Sequence, residues 1–344
     1  MRISVKAIPV EKIIKDLSKQ WQVPIVEDAG EQTLQIPDSL GTGFVRGTSF
    51  ASGIGVITYN CTFHLDYEIL FSTQKIHPLK FIFCSQGAVH HSFEKKDQVH
   101  SVNRFQNIIV SSGGANGHLL RFKAQQKTHI TSIEIIRSVF AKRKNLNFTG
   151  LNPILKELFQ DTIMSTSFYH QGNYSVKSAD IIENIDNKNF QGFLKSIFLE
   201  GKLFEMLALQ ITQFHTQQEN VISGTLRKAD TIKVERAANL IKENVGINYS
   251  VGELAYEVET NANKLQNGFK VMFGMTINKF AQEEKLKAAK QFLSNSEYKI
   301  SEIVDLIGLN NRSYFSKIFK EKYGFSPRYF LKEGTGENEK IEYN

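Results

Sequence analysis

The side chains best placed to act on another molecule are amides and cations near the C-terminal end of the chain, rather than paired acids or nucleophiles. Asn263, Gln266 and Asn267 lie within about one helical turn, and Arg312, Ser316 and Lys317 repeat the arrangement about fifty positions later. A carboxamide donates and accepts at once and so matches an adenine edge, whereas Arg and Lys donate to the acceptor edge of guanine. Lys270 and Lys320 follow one turn further along and are placed to meet phosphates, which hold register without reading sequence. This chemistry is recognition of double-stranded DNA, and it breaks no bond. No Ser-His-Asp arrangement, phosphate-cradling glycine loop or paired acid motif offers a competing reaction.

Helices must hold these groups, and the local pattern supplies them. Ile300, Ile303, Val304 and Ile307 fall at i, i+3, i+4 and i+7, an apolar stripe that needs cover. Gly308 stops that helix. Asn310 and Asn311 supply turn and cap chemistry, and Phe315, Ile318, Phe319 and Tyr323 write a second amphipathic helix that ends at Gly324. Ser326 and Pro327 open a third. With Arg312, Ser316, Lys317 and Lys320 on its outer face, the pair has the layout of a DNA-reading helix-turn-helix. The pattern occurs twice. Val251, Leu254, Ala255 and Val258 form an earlier stripe behind a Ser250–Glu253 capping box, followed by Leu265, Phe269, Met272 and Phe273. The second helices match at a fixed offset of fifty positions and the first helices one residue out of step, so the two turns differ in length by one.

Two such units, joined by TINKFAQEEKLKAAKQFL and closed by GFSPRYF, resemble the DNA-binding domain of the AraC-type (AraC/XylS) transcriptional regulators. The one-residue difference between the turns also fits that family. The resemblance covers roughly Thr231 to Lys332, about a third of the chain. Leu309 stands where the family usually has an aromatic residue, and Lys285 and Leu331 where it often has arginine. Gly268 interrupts the first reading helix at a cost of about 1 kcal/mol against Ala, so the second unit is expected to dominate specificity. Ile277, Phe280, Leu286, Ala289, Phe292 and Leu293 turn inward from the joining helix. That helix would fix the two readers about one DNA turn apart, roughly 34 Å.

The rest of the chain reads differently. Its 344 residues allow two or three domains, and 41% hydrophobic content is enough for ordinary cores. A net charge of +7 and a pI near 9.1 are compatible with a polyanionic partner. With no run of eighteen apolar residues and no signal-peptide pattern, a cytoplasmic protein without membrane contact is expected. Pro9 to Gln20 is predicted to be a short packing helix. From Gly41 to Ile136, short β-type runs punctuated by glycine predict an antiparallel barrel or sandwich. The family resemblance implies a cupin-like, effector-binding β-barrel there. Cys61 and Cys84, in strand-like surroundings without metal-ligand spacing, are expected to be reduced core thiols.

A cupin enzyme would hold a metal with residues such as His64, His77, His90, His91, Glu94 and His100. Adjacent His90 and His91 on a strand must point to opposite faces, however, and no metal or other cofactor is expected. From Asn152 onward the strands are predicted to stop. A long helix follows, with Phe193, Ile197, Phe204, Leu207, Ile211 and Phe214 on one stripe, suited equally to bracketing the barrel or to a dimer contact. The polar run from Thr216 to Lys228, hinged at Ser223 and Gly224, reads as a linker.

The fold expected is therefore α+β, a β-rich, barrel-like N-terminal part followed by an all-α domain with two helix-turn-helix units. Its divisions are a sensing domain over 1–150, a helical bracket or dimerisation region with linker over 151–222, the DNA-binding domain over 223–333 and a tail over 334–344. The function expected is sequence-specific transcriptional regulation under a small-molecule effector, not enzymatic catalysis. Promoter DNA, the effector, a second copy of the chain and, for an activator, RNA polymerase are the expected partners. The alternative is a cupin-type metalloenzyme with a helical appendage, which leaves the duplicated motif unexplained.

Overall fold

The computed structural model describes residues 1–6, 9–72, 77–96, 98–113, 116–143, 147–163, 167–172, 174–187, 190–219, 228–294 and 298–329. The chain divides into two compact units, Met1–Ser223 and Gly224–Asn344.

The first unit begins with β1 (Arg2–Val5), α1 (Val10–Trp21), β2 (Val26–Asp28), β3 (Glu31–Gln35), β4 (Gly41–Ser49), β5 (Ile54–Phe63), β6 (Tyr67–Phe71) and β7 (Leu79–Gln86). It continues with β8 (Ala88–Phe93), β9 (Val99–Asn103), β10 (Asn107–Ser111), β11 (His118–Phe122) and β12 (Thr128–Ile135). Then come α2 (Arg137–Phe140), α3 (Pro153–Gln160), β13 (Phe168–Gln171), α4 (Val176–Asn187) and α5 (Gly192–Glu219). The strands form two sheets, in the orders β1-β6-β11-β8-β9 and β13-β10-β7-β12-β5-β4-β3-β2. β1 and β6 pair in parallel, whereas neighbours such as β4–β5 and β5–β12 pair antiparallel.

Of the barrel or sandwich expected, the strands form the sandwich, an open double layer. Among the described residues no strand pairing joins one sheet to the other. A closed ring would leave its outer face to water and show alternating polarity, but β12 is buried at every position. One face of the larger sheet meets the smaller sheet through Tyr59, Phe63, Tyr67 and Phe122. The other face, with Val56, Phe81, Phe83 and Ile133, is covered by Leu155 and Phe159 of α3 and by Leu203, Met206 and Phe214 of α5. α5 is thus an intramolecular bracket along most of its length, while Phe193 and Ile197 at its start are 77% and 54% exposed. It continues to Glu219, past the beginning of the expected linker. Ser223, Gly224 and the 334–344 tail lie outside the described residues.

Strands do not stop at Asn152. β13 pairs antiparallel with β10, with Tyr169 opposite Val110, in a stretch whose polar character suggests a loop. α1 buries Val10, Ile13, Ile14, Leu17 and Trp21, and the Trp21 indole N–H donates to the Tyr67 hydroxyl at 2.7 Å. Its approach is close because Gly47 and Gly55 present no side chain: a Cβ there would lie 2.6 and 2.7 Å from the Val10 methyls.

His91 is fully buried on β8 and lies 3.2 Å from His118 between ring nitrogens, while its neighbour His90 is half-buried on the other face. Burial holds His91 near a pKa of about 3 and His77 near about 4, so both are neutral imidazoles. Among the described residues no three His, Cys, Asp or Glu side chains are grouped to hold a metal ion. Cys61 and Cys84 are free and buried, and burial pushes both thiols up to about 12. No described helix is long and apolar enough to cross a membrane.

The second unit is helical: α6 (Lys228–Glu243), α7 (Val251–Glu257), α8 (Ala262–Phe273), α9 (Ile277–Ser294), α10 (Ile300–Leu306) and α11 (Arg312–Tyr323).

Candidate nucleic-acid interface

Two helix pairs, α7–α8 and α10–α11, are built by the same local rules. α7 starts with a full capping box: Ser250 Oγ accepts from the Glu253 N–H, and the Glu253 carboxylate accepts from the Ser250 N–H at 2.7 Å. α10 keeps the carboxylate half, since Glu302 accepts from the Lys299 N–H while a lysine side chain has nothing to accept with. α8 and α11 are capped alike. Asn261 Oδ1 accepts from Lys264 N at 2.8 Å and Asn311 Oδ1 from Tyr314 N at 2.9 Å. Both helices end on left-handed glycines, Gly274 and Gly324.

The turns differ by one residue, yet each contains one left-handed position forty-nine apart: Glu259 with φ 56° and Gly308 with φ 65°. Around each, the same two hydrogen bonds close the turn: Glu259 N to Tyr256 O and Thr260 N to Ala255 O in one unit, Gly308 N to Asp305 O and Leu309 N to Val304 O in the other. From Asn261 to Lys270 the sequence of buried and exposed positions is identical to that from Asn311 to Lys320. Leu265 and Phe269, like Phe315 and Phe319, are fully buried, so the opposite faces are turned outward.

Those outward faces carry the expected side chains. Asn263, Asn267 and Lys270 are exposed on α8 and Gln266 is half-buried; Arg312, Lys317 and Lys320 are exposed on α11 and Ser316 is half-buried. The fixed offset of fifty shows one position that residue chemistry alone passes over. Asn263 is matched by the exposed Ser313, whereas Arg312 is matched by Ala262. Tyr314 is held differently, its hydroxyl accepting from Gln282 of α9 at 2.8 Å.

α9 splints the units together. Phe280 packs on Phe269 and Phe273 with ring centroids 5.3 and 4.5 Å away, while Leu286, Ala289 and Leu293 enter the core of the second pair with Ile303, Phe315 and Phe319. Phe292, expected inward, is half-buried against that core. Between these ends, Lys285 Nζ donates to Val245 O at 2.7 Å and Ile307 O at 2.5 Å, tying the chain after α6 to the end of α10. Burial lowers its pKa. The ammonium satisfies carbonyls that helix ends leave without partners, so lysine serves where the resemblance implied arginine.

Gly268 does not interrupt α8, which runs unbroken from Ala262 to Phe273. A Cβ at Gly268 would lie 2.3 Å from Val234 Cγ2 of α6, so the glycine is where α6 docks. The expectation that Gly268 loosens the first reader thereby loses its basis.

A sheet-rich unit followed by paired helix-turn-helix units defines the architecture of the AraC-type transcriptional regulators. The chain belongs to the family described as "Regulatory protein PchR N-terminal domain", which matches residues 41–226, more than half of the sequence, and a family described as "Helix-turn-helix domain" matches residues 254–333. It is similar to the "Transcriptional activator PerA" of Escherichia coli, 25% identical over 252 residues, covering 67% of this chain and 89% of that protein. It is also similar to the "Arabinose operon regulatory protein" of Salmonella typhimurium, 24% identical over 133 residues, 38% of this chain and 47% of that protein. Among solved structures, ToxT from Vibrio cholerae matches at 16% identity over 81% of this chain and 98% of its own, with a TM-score of 0.28.

Proposed function

We propose that this chain regulates transcription by reading two successive segments of one face of duplex DNA with α8 and α11, under control of a small molecule held in the N-terminal unit. The observation that carries this reading is the ten-residue identity of exposure between α8 and α11, which presents two outward faces in one register. Asn263, Gln266 and Asn267 read adenine-type edges; Arg312 and Lys317 read guanine-type edges, with Ser316 beside them; Lys270 and Lys320 meet phosphates. Residues 1–150 sense, 151–222 bracket and connect, and 223–333 bind DNA. The protein works in the cytoplasm. A second copy of the chain is a further partner, as is RNA polymerase where the protein activates. Family membership supports this reading over the metalloenzyme with a helical appendage, and the opposite-facing His90 and His91 lend that alternative no ligand pair.

The test is genome-wide mapping of sites bound by the full chain, followed by binding to those duplexes across a salt series. Affinity should be sequence-dependent and fall steeply with salt, because Lys and Arg contacts release counterions. Equal affinity for every duplex would remove the proposal.

A further inference from the structure

The space between the two sheets is apolar at one end and charged at the other. Ser49, Gly55, Glu134 and Lys80 form one rung across β4, β5, β12 and β7, in the register Ser49–Gly55–Glu134–Lys80. Lys80 and Glu134 are a buried ion pair, 5% and 4% exposed, so each neutralises the other. Arg137 follows at once on α2 with its side chain fully buried. A cavity of about 360 Å³ opens beside this rung, lined by Val10, Ser49, Glu134, Ile136 and Arg137 among others. That volume is in the range of small-molecule sites.

The polar wall of the cavity is unevenly satisfied. Arg137 Nη1 donates to Asp161 O at 2.5 Å, and Nη2 to Ser111 Oγ at 2.8 Å and His77 O at 3.3 Å. These acceptors are uncharged, and the Asp161 carboxylate lies 3.6 Å from Nη1. Arg137 Nε is buried with no hydrogen-bond partner among the described residues, and so is Ser49 Oγ. A buried donor without an acceptor costs stability, and a cationic one most of all. The group that would complete both is an anionic acceptor. Glu134 on the same wall opposes a second negative charge, while Pro9, Val10, Pro78 and Ile136 offer an apolar surround.

From this we propose that the cavity is the effector site of the N-terminal unit and takes a small organic monocarboxylate, its carboxylate on Arg137 Nε and Ser49 Oγ and its apolar body against Val10 and Ile136. The proposal rests on the regulator reading above. Its test uses the full chain with benzoate, cyclohexanecarboxylate and hexanoate, their primary amides, and succinate, read by calorimetry and thermal shift.

At least one monocarboxylate should bind, with its amide and succinate each at least tenfold weaker. Arg137→Gln should cost at least tenfold in affinity for that acid. Because Arg137 is buried and its loss can cost folding, Ser49→Leu, which fills the cavity and leaves the Arg137 hydrogen bonds intact, should do the same while keeping the melting temperature of the native chain. Failure of all three acids to bind, equal binding of acid and amide, or undiminished acid binding by Ser49→Leu would overturn the proposal. Binding of the same preparation to its mapped DNA sites separates the two readings. DNA recognition without acid binding removes this site alone, and acid binding without sequence-dependent DNA recognition removes the regulator.

Discussion

The two helix-turn-helix pairs present the same face to solvent but are anchored by different means. In the first, α8 gives up a side chain at Gly268 so that Val234 of α6 can reach the helix backbone. In the second, the matching position is Ile318, 8% exposed, which fills the core with its own side chain, and Lys285 fixes the end of α10 by hydrogen bonds to two carbonyls. A duplicated motif therefore constrains what each unit shows to a ligand more tightly than how each is held. The outward positions keep their places while their chemistry diverges, toward amides on α8 and toward cations on α11.

Breaking the anchor of the first unit is the strongest way to probe this contrast. Helix propensity alone would make Gly268→Ala stabilising by about 1 kcal/mol. The 2.3 Å approach of Val234 Cγ2, on a branched and buried side chain, reverses the sign. Overpacking of this kind costs about 1–3 kcal/mol, so Gly268→Ala should unfold at lower denaturant than the native chain. A higher midpoint with unchanged slope would show that α6 does not dock there.

A smaller effect is expected at the turns. Glu259 occupies a left-handed conformation that Gly308 adopts freely in the other unit, so Glu259→Gly should raise stability by up to about 1 kcal/mol in the same denaturation measurement. The reverse exchange is barred, because a Cβ at Gly308 would lie 2.0 Å from Gly246 O.

Much of the second unit was legible in the sequence because its signals are local. The stripes of Leu265 and Phe269 and of Phe315 and Phe319, the Asn261 and Asn311 caps and the one-residue difference between turns each depend on neighbours within a few positions. Gly268 misled because its reason is Val234, more than thirty residues away, and propensity counts only the helix in which a residue sits. Which of barrel or sandwich the strands would build was not legible, for a related cause. Phe81 and Ile82 on β7 face two different cores, and which surfaces cover a strand is a property of the fold rather than of the strand. At the candidate site, Arg312 was conspicuous by its charge and Ser313 was not, although Ser313 holds the register of Asn263. The carboxylate cavity left no local mark: Ser49 is far in sequence from Glu134 and Arg137 and meets them through strand pairing and the start of α2.

The central claim, that α8 and α11 both read bases, is tested most directly by measuring Gln266→Ala and Lys317→Ala, each in the full chain, against single-base variants of a mapped site. A good bidentate contact contributes about 1–3 kcal/mol of discrimination, so each substitution should relax preference by that order, at two different positions about one DNA turn apart. If either substitution instead lowers affinity equally for every variant, that helix holds the backbone without reading sequence, and the account of two readers is wrong.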